Sequence, residues 1–304
     1  MNILTIRTKH NGLRIVPVSK FSTIIDKCTI EMSSRNDELQ IIIATRKNES
    51  TTLMLFFDIF SLLFIYLGAF PVIESIDYNG ILIDTSQWVG KYRTRQDFFR
   101  QDLFISDLNN KTINQFAIDK YRNKQKTAIS SLQYLLSEDY SCMISDHRIT
   151  LLFHIIDGIC DFDKTRSDKL LSEMINKYNL TLNEKQLGNY IAKVYDISKE
   201  CFFYYHRKYN CEILKLLKVS QYEFLRVITD TRNWNSHFLH NKKPDRLKRG
   251  TEIVIYFEIV QYMIRLKIAK EICAEVKEEN VKEYYYIIHD WILKVLHGKE
   301  DALK

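Results

Sequence analysis

The chain has 304 residues, enough for two domains of ordinary size. Hydrophobic residues make up 46% and charged residues 27%, which excludes a wholly disordered chain; with only 8 glycines and 3 prolines, collagen, proline-rich linkers and turn-dense β-sandwiches are excluded too. The 44 basic and 38 acidic side chains give a formal net charge of +6, which permits a nucleic-acid partner without requiring one.

The first third of the chain has the pattern of short strands. Runs rich in Ile, Val and Thr occur at residues 3–8, 13–18, 23–32 and 39–45. Two further runs, 72–78 and 81–84, flank Asn79-Gly80, a dipeptide typical of two-residue hairpin turns. Between these groups, residues 53–67 form an apolar run too long for a strand, which predicts a buried helix.

The apolar segment has a second interpretation, because residues 52–71 are nearly long enough to span a bilayer. Asp58 lies near the middle, where a charge is costly in lipid. The basic flank is weak, since only Arg46 and Lys47 precede the segment closely and no basic residue follows it before Lys91. We therefore favour a buried core helix over a membrane span.

The six cysteines give no sign of a metal site. None forms a Cys-x-x-Cys pair and none stands at zinc-ligand spacing with a histidine pair, so we expect neither metal nor cofactor. The first ten residues lack the apolar run of a signal peptide. Together these features predict a reduced, cytoplasmic protein without a membrane partner.

From about residue 111 onward, apolar residues recur at helical spacing. The pattern predicts helices over 111–136, 149–159, 187–205, 214–228, 253–268 and 281–295. We therefore predict an α+β protein, with a small α+β sensor or regulatory domain at residues 1–122 and an all-α helical bundle at residues 123–304. The aromatic residues of the last helix suit either the core of this bundle or an interface between two chains; they are Tyr284, Tyr285, Tyr286 and Trp291.

A dense group of polar residues interrupts the bundle pattern at residues 228–240, ITDTRNWNSHFLH. Such a group is unusual inside a bundle, because buried polar side chains must be paired. Asn233 and His237 are four residues apart and share a helix face, and Arg232 follows Ile228 on the buried stripe. A guanidinium, an amide and an imidazole would then point toward one place.

This set suits a phosphodiester. Arginine binds phosphate with a planar, permanently charged fork, and histidine transfers protons near neutral pH. RNA carries its own nucleophile, the 2′-hydroxyl, so such a site needs no metal. A basic loop follows, whose cations would attract a phosphate backbone or simply be solvated between helices; they are Lys242, Lys243, Arg246, Lys248 and Arg249.

The stretch Arg232 to His237, RNWNSH, resembles the Arg-x4–6-His signature of HEPN domains, including their frequent Arg-Asn start. Its context, TDTRNWNSHF, looks most like the ApeA-type HEPN group of bacterial anti-phage proteins. The resemblance covers roughly residues 145–298, and residues 61–80 with KYRT at 91–94 are similar in character to the N-terminal domain of that group. The bare signature is expected about once by chance, so the context carries the resemblance.

The resemblance implies a helical-bundle, metal-independent endoribonuclease whose product ends in a 2′,3′-cyclic phosphate. Arg232, Asn233 and His237 would be its catalytic residues, and His240 would touch RNA together with the basic loop. The RNA would be tRNA or mRNA, and the role anti-phage defence, abortive infection or toxin-like growth arrest, with an activator of phage origin. Since one chain has one convincing Arg/His set, the resemblance implies a homodimer with a composite active site.

Two acidic residues are candidates for a supporting role at this site. Asp157 occupies a place where the family often has an acidic residue and would orient Arg232 or His237, or else make an ordinary ion pair. Asp230 would support the site, cap the helix or pair with a nearby basic residue. Arg148 and His154 also match the signature, but they lie in an apolar helix and are interpreted as structural. The alternative function is a non-catalytic HEPN module that binds nucleotides, RNA or a partner protein.

Overall fold

An antiparallel sheet followed mostly by helices makes this an α+β protein, as the sequence predicts. The computed structural model describes residues 1–9, 18, 20–35, 38–67, 71–86, 108–136, 145–160, 162–181, 187–237, 250–272 and 276–298. The chain divides into two compact units, Met1–Cys142 with Ile268–Asn280 and Met143–Lys267 with Val281–Lys304. We call them unit 1 and unit 2.

Unit 1 contains a six-stranded sheet in the order β2-β3-β4-β1-β5-β6, with every neighbouring pair antiparallel. The strands are β1 (Asn2–Lys9), β2 (Phe21–Ile25), β3 (Cys28–Arg35), β4 (Glu38–Thr45), β5 (Val72–Tyr78) and β6 (Ile81–Leu82). Buried side chains alternate with more exposed ones along β1 and β4, so one face of the sheet is apolar. Of the predicted strand at 13–18, only Val18 is described, and it forms an isolated bridge with Leu108.

Helix α1 (Glu49–Leu67) contacts β1 and β4 and is buried over most of its length. By length and composition it is the one described helix that could cross a membrane, a criterion that core helices also meet, and 72% of its apolar window is buried inside the fold. The buried charge of Asp58 in α1 is compensated by two cations. Its carboxylate accepts from Arg122 Nε at 2.7 Å and from Lys126 Nζ at 3.4 Å. These contacts agree with the core-helix interpretation.

Two-residue turns close two of the hairpins of the sheet. Asn79 and Gly80 join β5 to β6 with φ of 55° and 84°, as the dipeptide predicts. The predicted strand at 23–32 is wrong, because the chain turns at Asp26 and Lys27, whose φ angles are 52° and 63°. Aspartate is one of the residues enriched at positive φ and lysine is not, and hydrogen bonds from Arg122 and with Gln115 hold Asp26 in place.

The predicted helix at 111–136 is present as one irregular helical segment in unit 1. It consists of α2 (Gln115–Lys120), a π-helical turn (Tyr121–Gln125) and α3 (Lys126–Leu135). Asn114 caps its start by accepting from the amide of Ala117 at 2.9 Å. The predicted domain boundary after residue 122 falls inside this segment, whereas the division by contacts follows Cys142.

Every regular element among the described residues of unit 2 is a helix. Its helices are α4 (Ser145–Ile159), α5 (Lys164–Tyr178), α6 (Asn189–Ser198), a π-helical turn (Lys199–Phe203), α7 (Tyr204–Lys208), α8 (Ile213–Leu216), α9 (Gln221–His237), α10 (Gly250–Ile272), which ends in unit 1, and α11 (Glu278–Leu296). The single helix predicted over 214–228 is wrong. The helix is interrupted at Lys218, which has φ of 55°, and a new helix begins after Ser220.

The aromatic residues of α11 belong mainly to the core of unit 2. Tyr284 stacks on Tyr262 with ring centroids 3.4 Å apart, and the hydroxyl of Tyr285 donates to the carbonyl of Cys201 at 2.6 Å. Trp291 is buried as well, whereas Tyr286 is 46% exposed. Three of the four side chains are therefore used within one chain, and Tyr286 remains accessible to another.

Candidate active site

The start and rotation of α9 are set by its sequence. Ser220 and Glu223 form a reciprocal cap, in which the Ser220 hydroxyl accepts from the Glu223 amide at 3.2 Å and the Glu223 carboxylate accepts from the Ser220 amide at 2.7 Å. Phe224, Leu225 and Ile228 are fully buried. Since Arg232 lies four residues after Ile228, this buried stripe directs its side chain toward the neighbouring helices. Those neighbours are α4 and α6, which both contact α9.

The guanidinium of Arg232 is held from three directions. Its Nη2 donates to Asp157 Oδ2 at 2.9 Å, and its Nη1 donates to Asn233 Oδ1 at 3.2 Å. Its Cζ lies 4.8 Å from the ring centroid of Tyr190, a cation–π contact. The Nε atom is buried, and no described residue accepts a hydrogen bond from it. Arg232 is thus fixed in orientation, and its Nε has no acceptor among the described residues.

Lys193 brings a second cation to the same carboxylate. Its Nζ lies 3.0 Å from Asp157 Oδ1 and 3.4 Å from the main-chain oxygen of Asp157. The side chains of Arg232, Asp157 and Lys193 are 20%, 30% and 21% exposed, so water and small ions reach all three. We call these residues, with Asn233 and Tyr190, the Arg232 cluster. It carries two cations against one carboxylate.

The ring of Tyr190 packs against the guanidinium of Arg232. Its hydroxyl donates to the carbonyl of Phe153 at 2.8 Å, which fixes the ring on α6 beneath the guanidinium. Burial raises the pKa of Tyr190 well above its usual value, and the neighbouring Asp157 carboxylate adds to that rise while Arg232 opposes it. The hydroxyl therefore stays protonated and acts as a structural donor.

The other predicted site residues fall into two groups. His237 is the last residue of α9, one turn after Asn233, but its side chain, like those of Asn235 and Ser236, lies outside the described residues. The KYRT segment at 91–94 and the predicted RNA contacts also lie outside the described residues. These contacts are His240, Lys242, Lys243, Arg246, Lys248 and Arg249.

Asp230 and Arg148 make contacts away from Arg232. The Asp230 carboxylate lies 3.6 Å from Arg226 Nη2, one turn earlier on α9. The guanidinium of Arg148 lies over the ring of Phe257 at 4.7 Å, which agrees with a structural role for Arg148. Of the two acidic candidates, Asp157 is therefore the one that contacts Arg232.

Sequence reasoning missed Lys193 and the role of Tyr190. Tyr190 lies in the helix predicted over 187–205, and its ring is buried. Lys193 stands one turn later, between the fully buried Ala192 and Val194. A lysine at such a position is the signal that a buried or ligand-bound anion lies nearby.

No group of three or more His, Cys, Asp or Glu suited to a metal ion occurs among the described residues. The chemistry available to the Arg232 cluster is that of fixed cations and hydrogen-bond donors acting on an anion. Comparison with known proteins finds no matching family model, no matching curated protein and no matching solved structure.

Proposed function

We propose that this protein is a HEPN-type endoribonuclease that cleaves RNA without a metal ion. Attack of the 2′-hydroxyl on the adjacent phosphorus forms a 2′,3′-cyclic phosphate and breaks the bond to the 5′-oxygen. The 2′-hydroxyl proton leaves to a base, and the departing 5′-oxygen takes a proton from an acid. His237 serves in this acid–base exchange, and Arg232 holds the scissile phosphate and stabilises the charge that builds up on it.

The observation that carries the proposal is the fixation of Arg232 by Asn233 and Tyr190, beside the Asp157 carboxylate, in a helix that ends at His237. A guanidinium with a set orientation stabilises a transition state better than a mobile one, because no reorganisation is needed during the reaction. The neighbour Asn233 is the second residue of the Arg-Asn pair that the HEPN resemblance rests on, and it contacts Arg232 directly.

The same proposal includes the biological setting. The substrate is tRNA or mRNA, the working unit is a cytoplasmic homodimer with a composite active site, and the role is anti-phage defence through abortive infection or toxin-like growth arrest. Such an enzyme must be restrained in a healthy cell. We assign that restraint to the N-terminal α+β unit, with an activator of phage origin as the releasing signal.

A second candidate function is a HEPN module that binds RNA or nucleotides without cleaving them. The observation that favours it is that the Nη atoms of Arg232 are already occupied by Asp157 and Asn233. A guanidinium so occupied would suit a module that binds an anion and does no chemistry on it. The two candidates differ in one measurable outcome, the appearance of cyclic-phosphate ends.

The test is a cleavage assay with the purified full chain, total cellular RNA and excess EDTA. We expect RNA fragments with 2′,3′-cyclic phosphate ends from the wild type, and losses of about 10²–10⁴-fold for His237→Ala and about 10²–10³-fold for Arg232→Ala. Sequencing of the ends then identifies the RNA. An activator is supplied by repeating the assay with extract from phage-infected cells.

Arg226→Ala is the matched control, because Arg226 lies on the same helix, is 42% exposed and pairs with Asp230 rather than with Asp157. It should cleave like the wild type. Equal cleavage by the wild type and Arg232→Ala would exclude the assigned site. RNA binding that depends on Arg232 without any cleavage, with and without infected extract, would support the binding module instead.

A further inference from the structure

The charge of the Arg232 cluster differs from that of two other described ionic clusters. In unit 1, Arg122 and Lys126 face Asp26 and Asp58. In unit 2, the carboxylates of Asp196 and Glu200 are matched by the cations of Arg166 and Lys267. Each of these clusters contains equal numbers of cations and carboxylates among the contacts described.

Around Asp157, by contrast, Arg232 and Lys193 share a single carboxylate. Arg232 Nη2 contacts one oxygen at 2.9 Å, and Lys193 Nζ contacts the other at 3.0 Å. Two cations bridged through two oxygens of one anion is also the arrangement by which proteins bind a phosphate group. The ion pairs of the Arg232 cluster therefore leave one surplus positive charge.

Both cations are held by groups other than the carboxylate. Arg232 is fixed by Asn233 Oδ1 and by the ring of Tyr190. Lys193 is held by the main-chain oxygen of Asp157, which belongs to α4 and does not move when the side chain rotates. The pair of cations would therefore keep its spacing if the carboxylate moved aside.

We propose that Lys193 and Arg232 form a two-cation site for an RNA phosphate, and that the Asp157 carboxylate is its intramolecular competitor. This inference rests on the proposed function for its ligand class, a phosphodiester. Lys193 is then a phosphate-binding residue, and Asp157 sets the affinity of the site by competing for both cations. A phosphate must displace the carboxylate, so RNA binds more weakly than two cations alone would allow.

The test uses an oligonucleotide that cannot be cleaved, which separates binding from catalysis. The probe is a short fluorescein-labelled 2′-O-methyl oligouridylate, and its fluorescence anisotropy is followed with the full chain at several salt concentrations. Asp157→Asn keeps the shape of the side chain and removes its charge. Removal of the competitor should tighten binding by about five- to tenfold.

Lys193→Gln should have the opposite effect, weakening binding by about fivefold and lowering the slope of log affinity against log salt by about 0.7, the value for one contact with a single strand. Lys199→Gln is the matched control, because Lys199, in the π-helical turn after α6, pairs with Glu173 rather than with Asp157. This substitution should leave both the affinity and the slope unchanged. Thermal unfolding of each variant checks that it is folded. A gain of affinity in Asp157→Asn cannot arise from loss of folding.

The outcomes separate this inference from the proposed function. Tighter binding by Asp157→Asn together with weaker binding by Lys193→Gln supports the two-cation site, even if no RNA is cleaved. Weaker binding by Asp157→Asn would overturn it, because the carboxylate would then position the cations rather than compete for them, and the nuclease would stand. Absence of any binding by the wild type, or an unchanged affinity in both variants, would also overturn it.

Discussion

Arg122→Met should destabilise unit 1 substantially, because it removes the main partner of a buried carboxylate. The side chain of Asp58 is 8% exposed and accepts from Arg122 Nε at 2.7 Å. Lys126 would remain at 3.4 Å, but its side chain is 51% exposed and makes the weaker contact. Breaking a buried ion pair costs about 3–5 kcal/mol, and because Arg122 is 30% exposed we expect about 2–3 kcal/mol.

The assay is urea unfolding of the full chain, followed by far-ultraviolet circular dichroism. Lys126→Met is the matched control and should cost less than about 1 kcal/mol, as for an exposed ion pair. In an Asp58→Asn background, the cost of Arg122→Met should fall by about 1–2 kcal/mol, since the carboxylate that it leaves behind is gone. A loss of stability in Arg122→Met no larger than in Lys126→Met would refute this account of α1.

The same variant should change the response to acid. Burial raises the pKa of Asp26, but hydrogen bonds from Arg122 and Gln115 lower it more, so its pKa lies below the ordinary 3.8. A carboxyl group with a lowered pKa stabilises the folded chain above 3.8, and this stability is lost as the pH falls through the lowered value. Arg122→Met should remove that part of the acid dependence.

Three other expectations concern unit 2. Arg232→Lys should lower RNA cleavage by about a hundredfold in the EDTA assay, because an ammonium group cannot make the planar contacts of a guanidinium, and full activity would contradict the proposed role. Tyr285→Phe should cost about 1–3 kcal/mol in urea unfolding by leaving a buried carbonyl without its donor, whereas Tyr286→Phe, at an exposed position, should cost less than about 0.5 kcal/mol. Burial lowers the pKa of His206 below 6.5, and the charge of Glu212 opposes this shift. Stability should therefore fall as the pH drops below 6.5 toward the lowered pKa, because the unfolded chain then binds a proton that the folded chain does not. His206→Gln should abolish that fall in unfolding titrations, and an unchanged slope of stability against pH would contradict the assignment.

Elements with a strong local signal could be predicted from the sequence. The apolar run at 53–67 became α1, and the stripes at 253–268 and 281–295 became α10 and α11. Helix α5 was missed because its polar face is large and its buried residues are few. The turn at Asp26 and Lys27 was missed for a different reason, since its conformation depends on Arg122 and Gln115 from a distant segment.

Along α9 the candidate site was predictable from the residues themselves, whereas Asp157 came only from the family resemblance and Lys193 was missed. Arg232, Asn233 and His237 are close in the sequence, so their grouping could be seen without a fold. Asp157 and Lys193 are 75 and 36 residues from the groups that they contact, and only the packing of α4, α6 and α9 brings them together. The sequence shows that each charged residue is present, but it does not show that two cations surround one carboxylate.

The surplus of cations around Asp157 bears on whether Arg232 binds a ligand. An arginine paired with one carboxylate is electrically satisfied and needs no ligand. In the Arg232 cluster, Lys193 has already taken half of the Asp157 carboxylate, so neither cation is fully compensated by the contacts described. A surplus of positive charge that is only partly exposed attracts an anion from solution, and two adjacent cations suit an anion with several oxygens, such as a phosphate. The electrostatics of Lys193 therefore favour an anionic ligand, and the proposed function supplies its class, a phosphodiester.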